Sequence, residues 1–383
     1  MPDTARPDGR QRDSCAMPGR EPGHAPLLND PAIAPGGPPP APAVVRLSPE
    51  DSLRLLGRLR TYRATRWRSI TQLLGTAGGL LALWLCMWLA LDQGYWITLL
   101  LAVPAAGLLV RLFIIQHDCG HGAYFRSRRV NNIVGRCLGV LTLTPYDYWK
   151  RAHDTHHATS GNLDRRGIGD IDTLTVREYR SLGAWKRLAY RLYRHPLILF
   201  GVGPAYLFLI KHRWPRELPL LRTVYWRGVM ATNGAIAGIA VTLAILIGPG
   251  TLALVHLPLV LLGSAIGVWM FFVQHQFKDA YWAHGQEWDF VEAALRGSSY
   301  YRLPRPLQWV TGHIGLHHVH HLSSKVPNYR LQECVDSIPV LKHVPRMSHF
   351  DSLKCSRLAL WDEGSQQLIS FRNASRHLRC PAG

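Results

Sequence analysis

Four long apolar stretches constrain this chain more than any other feature of its sequence. They cover residues 73–91, 96–115, 228–247 and 252–273. Each is close to the roughly 20 helical residues that cross the ~30 Å hydrocarbon layer of a bilayer. The sequence therefore predicts an all-α integral membrane protein with four transmembrane helices.

The connections between the stretches predict their arrangement. Only a few residues separate the first stretch from the second and the third from the fourth, so we expect two helical hairpins. Neither short connection contains Lys or Arg, whereas residues 117–227 contain 19 and residues 51–72 contain six. Because basic loops remain in the cytoplasm, both termini and the long middle segment are predicted to be cytoplasmic.

Two weaker apolar runs, residues 133–143 and 197–210, are too short to span the bilayer comfortably. If the second run crossed, everything after residue 273 would lie on the opposite side from His117. We therefore expect both runs to lie in the interface or to re-enter the membrane on one side.

The charge balance bears on the partners. The chain has 44 Lys and Arg against 25 Asp and Glu, which gives a formal charge of +19. These basic residues flank apolar stretches and form no nucleic-acid-binding motif, so we expect a lipid bilayer and no nucleic acid as partner. The seven cysteines are widely spaced and predict reduced thiols.

Both ends of the chain are predicted to lie outside the membrane domain. Residues 1–47 are rich in Pro and Gly and are expected to be disordered. Ser48 is a candidate N-cap of an amphipathic helix. This helix carries arginines as far as Arg68, together with Trp67, and is expected to lie on an anionic membrane surface. Residues 48–340 form the predicted membrane domain, and residues 341–383 are predicted to be a cytoplasmic C-terminal tail.

Nine of the 19 histidines fall into three five-residue windows, at residues 117–121, 153–157 and 317–321. On a helix, residues i, i+3 and i+4 project from one face, so each window directs its imidazoles to one point. The converging imidazoles of the three windows suit two metal ions. We expect a helical cap on the cytoplasmic side to carry this site. Imidazole binds Fe, Zn, Cu and Ni, so residue type alone does not name the metal. The predicted ligands are His117, His121, His153, His156, His157, His317, His320 and His321.

A single HxxxH window is more often a capped loop, a crowded surface or a phosphate-binding patch than a metal site. Three windows on one predicted face of the membrane favour metal, because eight buried imidazoles without it would leave many polar groups unsatisfied. His318 lies on the other side of its helix and is predicted to support a ligand or to lie at the surface.

The windows and their flanks carry a resemblance. The segments are QHDCGHG at residues 116–122, HATSGNLDRRGIGD at 157–170, GLHHVHHL at 315–322 and PNYRL at 327–331. They resemble the membrane-bound fatty acid desaturases, in particular bacterial acyl-lipid desaturases of the Δ12/ω-6 type, over about residues 73–335. Similar enzymes usually read Gly-Asn-Ile-Gly where this chain has Gly312-His313-Ile314-Gly315. His313 is therefore either a replacement donor beside the metals or an extra ligand.

The resemblance implies a dinuclear iron centre held by the eight window histidines. His275, at the end of the fourth stretch, resembles a further histidine of the family that approaches the metals. A polar residue that ends a span beside a metal site is functional by default. The alternative is a histidine that only extends to the membrane interface.

Polar residues near the windows are candidates to orient the ligands. Asp118 and Asp154 each follow the first histidine of a window and could accept a hydrogen bond from an imidazole nitrogen that does not bind metal. Asn162, Asp164 and Asp170, in the loop after the second window, could do the same or form a solvated acidic loop.

Two arginines in that loop, Arg165 and Arg166, are candidates to hold a phosphate or carboxylate headgroup. An ion pair with Asp164 or Asp170 is the alternative. The acyl chain itself has no polar handle, so it requires an apolar channel.

The resemblance implies an O2-dependent enzyme that removes two hydrogens from adjacent methylenes of a fatty acyl lipid and leaves a cis double bond. The chain has no CxxC cluster motif, no GxGxxG and no haem-domain signature, so its electrons come from a separate donor protein, a ferredoxin in a bacterium. A membrane hydroxylase or ketolase acting on alkanes or carotenoids would use the same metal site. A metal transporter is the rival of another class, but transporters place ligands near the bilayer midplane.

Overall fold

The computed structural model describes residues 47–215 and 222–376, and these are mostly α-helical. The predicted N-terminal tail lies outside the described residues except for Leu47. The helices are α1 (Pro49–Leu59), α2 (Arg66–Leu89), α3 (Tyr95–His121), α4 (Arg128–Leu141), α5 (Tyr146–Thr159), α6 (Val176–Ser181), α7 (Ala184–Tyr193), α8 (Gly203–Leu209), α9 (Arg222–Ile247), α10 (Pro249–His275), α11 (Phe290–Arg296), α12 (Arg305–Val310), α13 (His317–Leu322), α14 (Leu331–Ser337), α15 (His349–Cys355) and α16 (Phe371–Arg376).

Four helical segments of the described chain are long and apolar enough to cross a membrane. They are Arg66–Asp92, Tyr95–His121, Val224–Ile247 and Pro249–His275. Each contains one of the four predicted stretches. The second and fourth segments continue beyond the apolar residues, because α3 ends only at His121 and α10 at His275. Both helices therefore carry histidines of interest on their last turns.

Close packing of α2, α3 and α10 forms the apolar core of the spanning region. Met87, Ala102, Ala105 and Leu259 are buried in one shared cluster. At Gly263 of α10, an added Cβ would lie only 2.9 Å from Leu109 Cδ2 of α3. A small residue at this point lets the two helices approach closely, as is common between helices in membranes.

The amphipathic N-terminal helix is shorter than predicted. Ser48 is its N-cap as expected, with the side-chain oxygen accepting from Asp51 N at 3.1 Å. The helix ends at Leu59, and Trp67 belongs to the first turns of α2. The chain is extended at Thr65, whose N–H donates to the Tyr329 hydroxyl at 2.9 Å. This hydrogen bond between residues that are distant in sequence helps to fix the break between α1 and α2, which no local sequence pattern predicts.

Neither of the two weaker apolar runs is among the four candidate spans. Residues 133–143 lie mostly in α4. Residues 197–210 form a π-helical turn, Ile198–Val202, followed directly by α8. Leu197, Val202 and Ile210 expose more than half of their surface, and Leu199 is buried. This segment thus has one buried and one exposed apolar side.

Residues 341–376 are folded in the structure, whereas residues 341–383 were predicted to be a cytoplasmic tail; residues 377–383 lie outside the described part of the chain. Five short strands, which the all-α prediction missed, are β1 (Leu174–Thr175), β2 (Tyr300–Tyr301), β3 (Arg346–Met347), β4 (Leu360–Asp362) and β5 (Gln367–Ile369). β4 pairs parallel with β1 and antiparallel with β5, and β2 pairs parallel with β3. Trp361 and Leu368 are buried against Leu163 and Trp282. Strands of two or three residues carry no alternation of polar and apolar residues by which they could be found in the sequence.

Candidate metal centre

The three histidine windows lie on three helices whose faces converge. His117 and His121 occupy the end of α3, the second window lies in α5, and the third makes up most of α13. His275 is the last residue of α10. The i, i+3, i+4 spacing directs the histidines of each window to one side of their helix. Four elements that are distant in sequence therefore present imidazoles to a common volume.

Nine histidines form two groups in this volume. Within each group, the candidate ligand nitrogens lie within 4.8 Å of one another. Both α5 and α13 contribute to both groups, because their adjacent histidines belong to different ones. The five-histidine group contains His117, His121, His153, His157 and His320, and the four-histidine group contains His156, His275, His317 and His321.

The distances within the groups fit metal ligation. In the four-histidine group, Nε2 of His275 lies 3.1 Å from that of His156 and 2.9 Å from that of His317. In the five-histidine group, Nε2 of His157 lies 3.1 Å from that of His153 and 3.0 Å from that of His320. Two nitrogens that each lie about 2.1 Å from one ion, at right angles, are separated by about 3 Å. A single imidazole nitrogen cannot form two linear hydrogen bonds, so convergence on a shared cation explains these contacts better.

An unpartnered nitrogen supports the same fit. Nε2 of His121 is buried and has no hydrogen-bond partner in the described part of the chain. A buried polar atom without a partner is costly, and most such atoms in folded proteins are satisfied. A cation in the five-histidine group would satisfy this nitrogen.

The buried environment favours the neutral form of five of the window histidines. Burial lowers the pKa of His153, His157, His317, His320 and His321 well below the usual value, and neighbouring imidazoles lower it further. Metal ions bind deprotonated ligands, and for histidine this is the neutral ring. These five rings are therefore in the protonation state that a metal requires at neutral pH.

On three of the nine imidazole rings, the nitrogen that faces away from the two histidine groups contacts a hydrogen-bond acceptor. His156 Nδ1 is hydrogen-bonded to the Asp170 carboxylate. His117 Nδ1 lies 3.2 Å from Asp118 Oδ1, and His275 Nδ1 lies 3.2 Å from the Gly297 carbonyl oxygen. Such contacts fix the tautomer and the orientation of a ligand. Asp118 and Asp170 thus each contact a window histidine, and their role as acceptors beside metal ligands stays a prediction.

Asp118 is itself fixed by a residue that the sequence did not point to. Its Oδ2 accepts from Asn328 N at 2.6 Å and from Asn328 Nδ2 at 2.8 Å. Asn328 Oδ1 in turn accepts from Gln72 Nε2 at 2.8 Å. A chain of hydrogen bonds therefore runs from α2 through Asn328 and Asp118 to His117. Asn328 lies in the PNYRL segment of the resemblance, which was the only signal in the sequence.

Asp154, Asn162 and Asp164 form no hydrogen bond with the nine histidines in the described residues. Asp154 Oδ1 is 4.0 Å from His121 Nδ1, and its carboxylate binds Lys150. Asn162 Oδ1 accepts from Asp164 N at 3.0 Å, which closes a local turn. Asp164 accepts from His284 Nδ1 at 2.7 Å, outside the centre.

The two arginines of this loop differ in their surroundings. Arg166 donates to the Glu178 carboxylate and so forms an ion pair with a partner other than Asp164 or Asp170. Arg165 is exposed. The loop therefore leaves Arg165 the more accessible of the two guanidinium groups.

Two further histidines near the third window belong to neither group. His318 is buried, with Nε2 3.1 Å from the Leu341 carbonyl oxygen. His313 has a φ of +57° and follows Gly312, which has the same value. Among residues other than Gly, Asn, Asp and His adopt this left-handed conformation most readily. A backbone requirement therefore accounts for Asn or His at this position.

An apolar cavity of about 520 Å³ reaches the centre. It is bounded by α3, α5, α10 and the segment at residues 198–212, with Phe113, Leu199, Met270 and Phe271 in its walls. His117 and His153 of the five-histidine group line it, together with His317 of the four-histidine group. Its volume lies within the range of about 300–1,000 Å³ that is usual for small-molecule sites.

Comparisons with known proteins identify the family of this chain. Residues 93–347 match the family model described as fatty acid desaturase. The chain is similar to a fatty acid desaturase of Bacillus subtilis, with 46% identity over 310 residues that cover 81% of this chain and 87% of the relative. It is also similar to the sn-1 acyl-lipid omega-3 desaturase (ferredoxin) of Synechocystis, with 30% identity over 258 residues, or 62% of this chain and 66% of the relative. An endoplasmic reticulum omega-3 fatty acid desaturase of Vigna radiata is 29% identical over 255 residues, or 61% of this chain and 63% of the relative.

Proposed function

Because this chain belongs to the fatty acid desaturase family, we propose that it introduces a cis double bond of the Δ12/ω-6 type into the fatty acyl chain of a membrane lipid. Two hydrogens leave adjacent methylenes of the substrate. Together with two electrons and two protons from outside, they reduce one O2 to two molecules of water.

The observation that carries this proposal is the position of the cavity relative to the histidines. An apolar channel suits an acyl chain, because the chain offers only methylenes for recognition. The cavity meets His117, His153 and His317, which come from both groups. A chain that lies in it would pass beside both halves of the candidate metal centre.

Each group would hold one iron ion, with the five-histidine and four-histidine groups as the ligand sets. When bound, iron supplies the O2 and one-electron chemistry that side chains lack. The protein positions the centre through the acceptors at His117, His156 and His275. The apolar walls exclude water and hold the acyl chain against the histidines.

The lipid headgroup and the electron donor would be recognised on the cytoplasmic side. Arg165 is the better placed of the two loop arginines to contact a headgroup, because Glu178 engages Arg166. Exposed Arg126, Arg128 and Arg129 near the end of α3 form a basic surface for an acidic donor such as a ferredoxin. The name of the Synechocystis relative includes ferredoxin, which supports this choice.

The proposed arrangement places the protein in the bacterial inner membrane. The four candidate spans would form two hairpins, and the histidine groups and both termini would face the cytoplasm. The distribution of Lys and Arg supports this orientation.

The test is expression of the wild type and of His320→Ala in a bacterium that lacks polyunsaturated lipids, together with a ferredoxin and its reductase. Total fatty acids are analysed by gas chromatography with double-bond mapping. We expect a new double bond only with the wild type, and loss of bound iron in the variant. His343→Ala, at an exposed histidine outside both groups, serves as the matched control and should keep full activity.

Each other result contradicts a defined part of the proposal. A double bond at the ω-3 position would overturn the Δ12/ω-6 assignment and leave desaturation intact. Hydroxylated lipids or modified carotenoids instead of a new alkene would favour the hydroxylase or ketolase. Iron-free protein without any product would favour the metal transporter.

A further inference from the structure

Arg111 is a buried cation within a candidate membrane span. It lies on α3, six residues before His117 and about 9 Å from it along the helix axis. Its residue exposure is only 6%. Its Nε and Nη1 atoms have no hydrogen-bond partner in residues 47–215 and 222–376.

The surroundings of Arg111 are formed by α12 and the turn after it. The guanidinium carbon lies 4.2 Å from the centre of the Trp309 ring, so the ring covers one face of the cation. One turn earlier on α3, a Cβ at Gly107 would lie 2.9 Å from Val310 Cγ1, which shows how closely α12 approaches. Nδ1 of His313 is also buried and without a partner in the described part of the chain. The pKa of His313 is lowered by burial and by the nearby Arg111 charge, so the ring is neutral at pH 7.

A cation in this position needs hydrogen-bond acceptors, and an anion would supply both acceptors and the opposite charge. An unpaired ion in an apolar environment is strongly destabilising, and charged residues inside membrane spans are almost always paired or face water. Stacking on Trp309 offsets part of this cost but leaves the Nε–H and Nη1–H groups without acceptors in the described residues. A guanidinium presents its N–H donors as planar forks, which match two oxygens of a phosphate or carboxylate.

The anion site is separate from the proposed acyl channel. Leu109, Val110 and Phe113 of α3 line the cavity, whereas Arg111 is not among its lining residues. On the other side, α12 exposes Leu307 and Trp309, with 47% and 52% of their surface accessible. Exposed Trp beside a span is typical of the headgroup level of a bilayer. At that level, phospholipid phosphates are the abundant anions.

We propose that Arg111 binds the phosphate of a phospholipid that is seated between α3 and α12, as a structural lipid distinct from the substrate. Its phosphate oxygens accept hydrogen bonds from the Arg111 fork. His313 lies near enough to the cation to contribute a further donor. The bound lipid stabilises the helix that carries His117 and His121.

Thermal unfolding of purified, delipidated enzyme tests this site. The wild type should gain several degrees in Tm when dioleoyl phosphatidylglycerol is added, because a ligand of the folded state stabilises it. Arg111→Gln should lose most of this gain. Without lipid, the variant should be no less stable than the wild type, since it lacks an unpaired buried charge. Arg180→Gln, at an exposed arginine of α6, is the matched control and should keep the full gain.

Two further ligands identify what is bound. Dioleoylglycerol has the same acyl chains without the phosphate, and inorganic phosphate has the anion without the chains, so neither should reproduce the gain. An equal gain with dioleoylglycerol would overturn phosphate recognition, and an equal gain with inorganic phosphate would overturn the lipid. A wild type that does not respond to phosphatidylglycerol, or an Arg111→Gln variant that responds fully, would also refute the site. If Arg111→Gln does not accumulate, Arg111→Lys decides, because it keeps the charge without the fork and should show a reduced gain; an undiminished gain would contradict the proposal.

Discussion

At the scale of single residues, the geometry of the centre depends on how the outward imidazole nitrogens are held. The Asp118 carboxylate cannot rotate freely, because Asn328 donates two hydrogen bonds to one of its oxygens. The other oxygen remains directed at His117 Nδ1. Asn328 therefore positions a proposed ligand without touching the ligand groups.

We expect Asn328→Ala to lower iron affinity or activity by about 10- to 100-fold, the usual effect of removing a residue that orients a metal ligand. Bound iron and desaturation are measured on the same purified sample. Asn162→Ala is the control, because Asn162 closes a local turn and forms no hydrogen bond with the nine histidines in the described residues. Unchanged iron and activity in Asn328→Ala would show that the orientation of Asp118 does not matter.

The sequence predicted the histidines better than it predicted the residues that orient them. Eight of the nine could be selected by helical spacing, because i, i+3 and i+4 relations are local. His275 could be selected only through the resemblance to the family, because it has no second histidine at helical spacing at the end of α10. The contact between Asn328 and Asp118 joins residues that are 210 positions apart, and no local pattern encodes it.

At the scale of elements, α10 forms one long wall of the cavity. Gly267 lines it, and a Cβ added there would meet open space. This residue lies eight positions before His275, or about 12 Å along the helix. A larger side chain would therefore shorten the cavity without displacing a neighbouring side chain.

Gly267→Leu should change which acyl chains are used, with turnover of long chains falling by about tenfold or more relative to shorter ones. The ratio of products from a mixed lipid pool measures this effect. Gly78→Leu on α2 is the matched control, because Gly78 also has open space at its Cβ but does not line the cavity. An identical product ratio in both variants and the wild type would mean that the acyl chain does not extend along this wall.

The C-terminal strands make a second prediction at this scale. Trp361 on β4 is 1% exposed and packs against Trp282 and Leu163. Trp361→Ala should lower the free energy of unfolding by about 3–5 kcal/mol, as for other fully buried aromatic residues. Thermal unfolding compares it with Phe350→Ala, at a residue that is 76% exposed and should have little effect. Equal stability of the two variants would indicate that the segment is dispensable for the fold.

Long elements were predictable and short ones were not. The four spans follow from about 20 consecutive apolar residues each, a signal that tertiary contacts do not override. The end of α1 and the strands β1, β4 and β5 depend on contacts with distant residues, such as Tyr329 for the break before α2. Such contacts cannot be predicted from the composition of the neighbouring residues.

At the scale of the whole molecule, the proposed orientation can be tested with reporters. Green fluorescent protein fused after Gly383 should fluoresce, because it folds in the cytoplasm. Alkaline phosphatase should be inactive at the same position and active when inserted at Gly248, in the connection between α9 and α10. The reverse pattern would place the histidine groups on the outer face and exclude a cytoplasmic electron donor.

The stability of the metal-free protein should depend on pH. Burial and neighbouring imidazoles lower the pKa of His153, His157, His317, His320 and His321 in the folded chain. The unfolded chain, with pKa values of about 6.5, takes up protons that the folded chain does not. The contribution of these five histidines to the free energy of unfolding is therefore fully present above about pH 6.5 and is lost as the pH falls below that value. Tm of chelator-treated protein between pH 5.5 and 8 measures the slope, and a constant Tm would contradict buried neutral rings.

The division of adjacent histidines between the two groups has a consequence for loading. His156 and His157 follow one another on α5 but belong to different groups, as do His320 and His321 on α13. An ion in one group therefore fixes the helices that carry ligands of the other. Iron uptake should be cooperative, so that chains with a single ion are scarce at every ratio of iron to protein. The enzyme would then exist in two populations, empty and fully loaded, and a half-reconstituted sample would be a mixture of both.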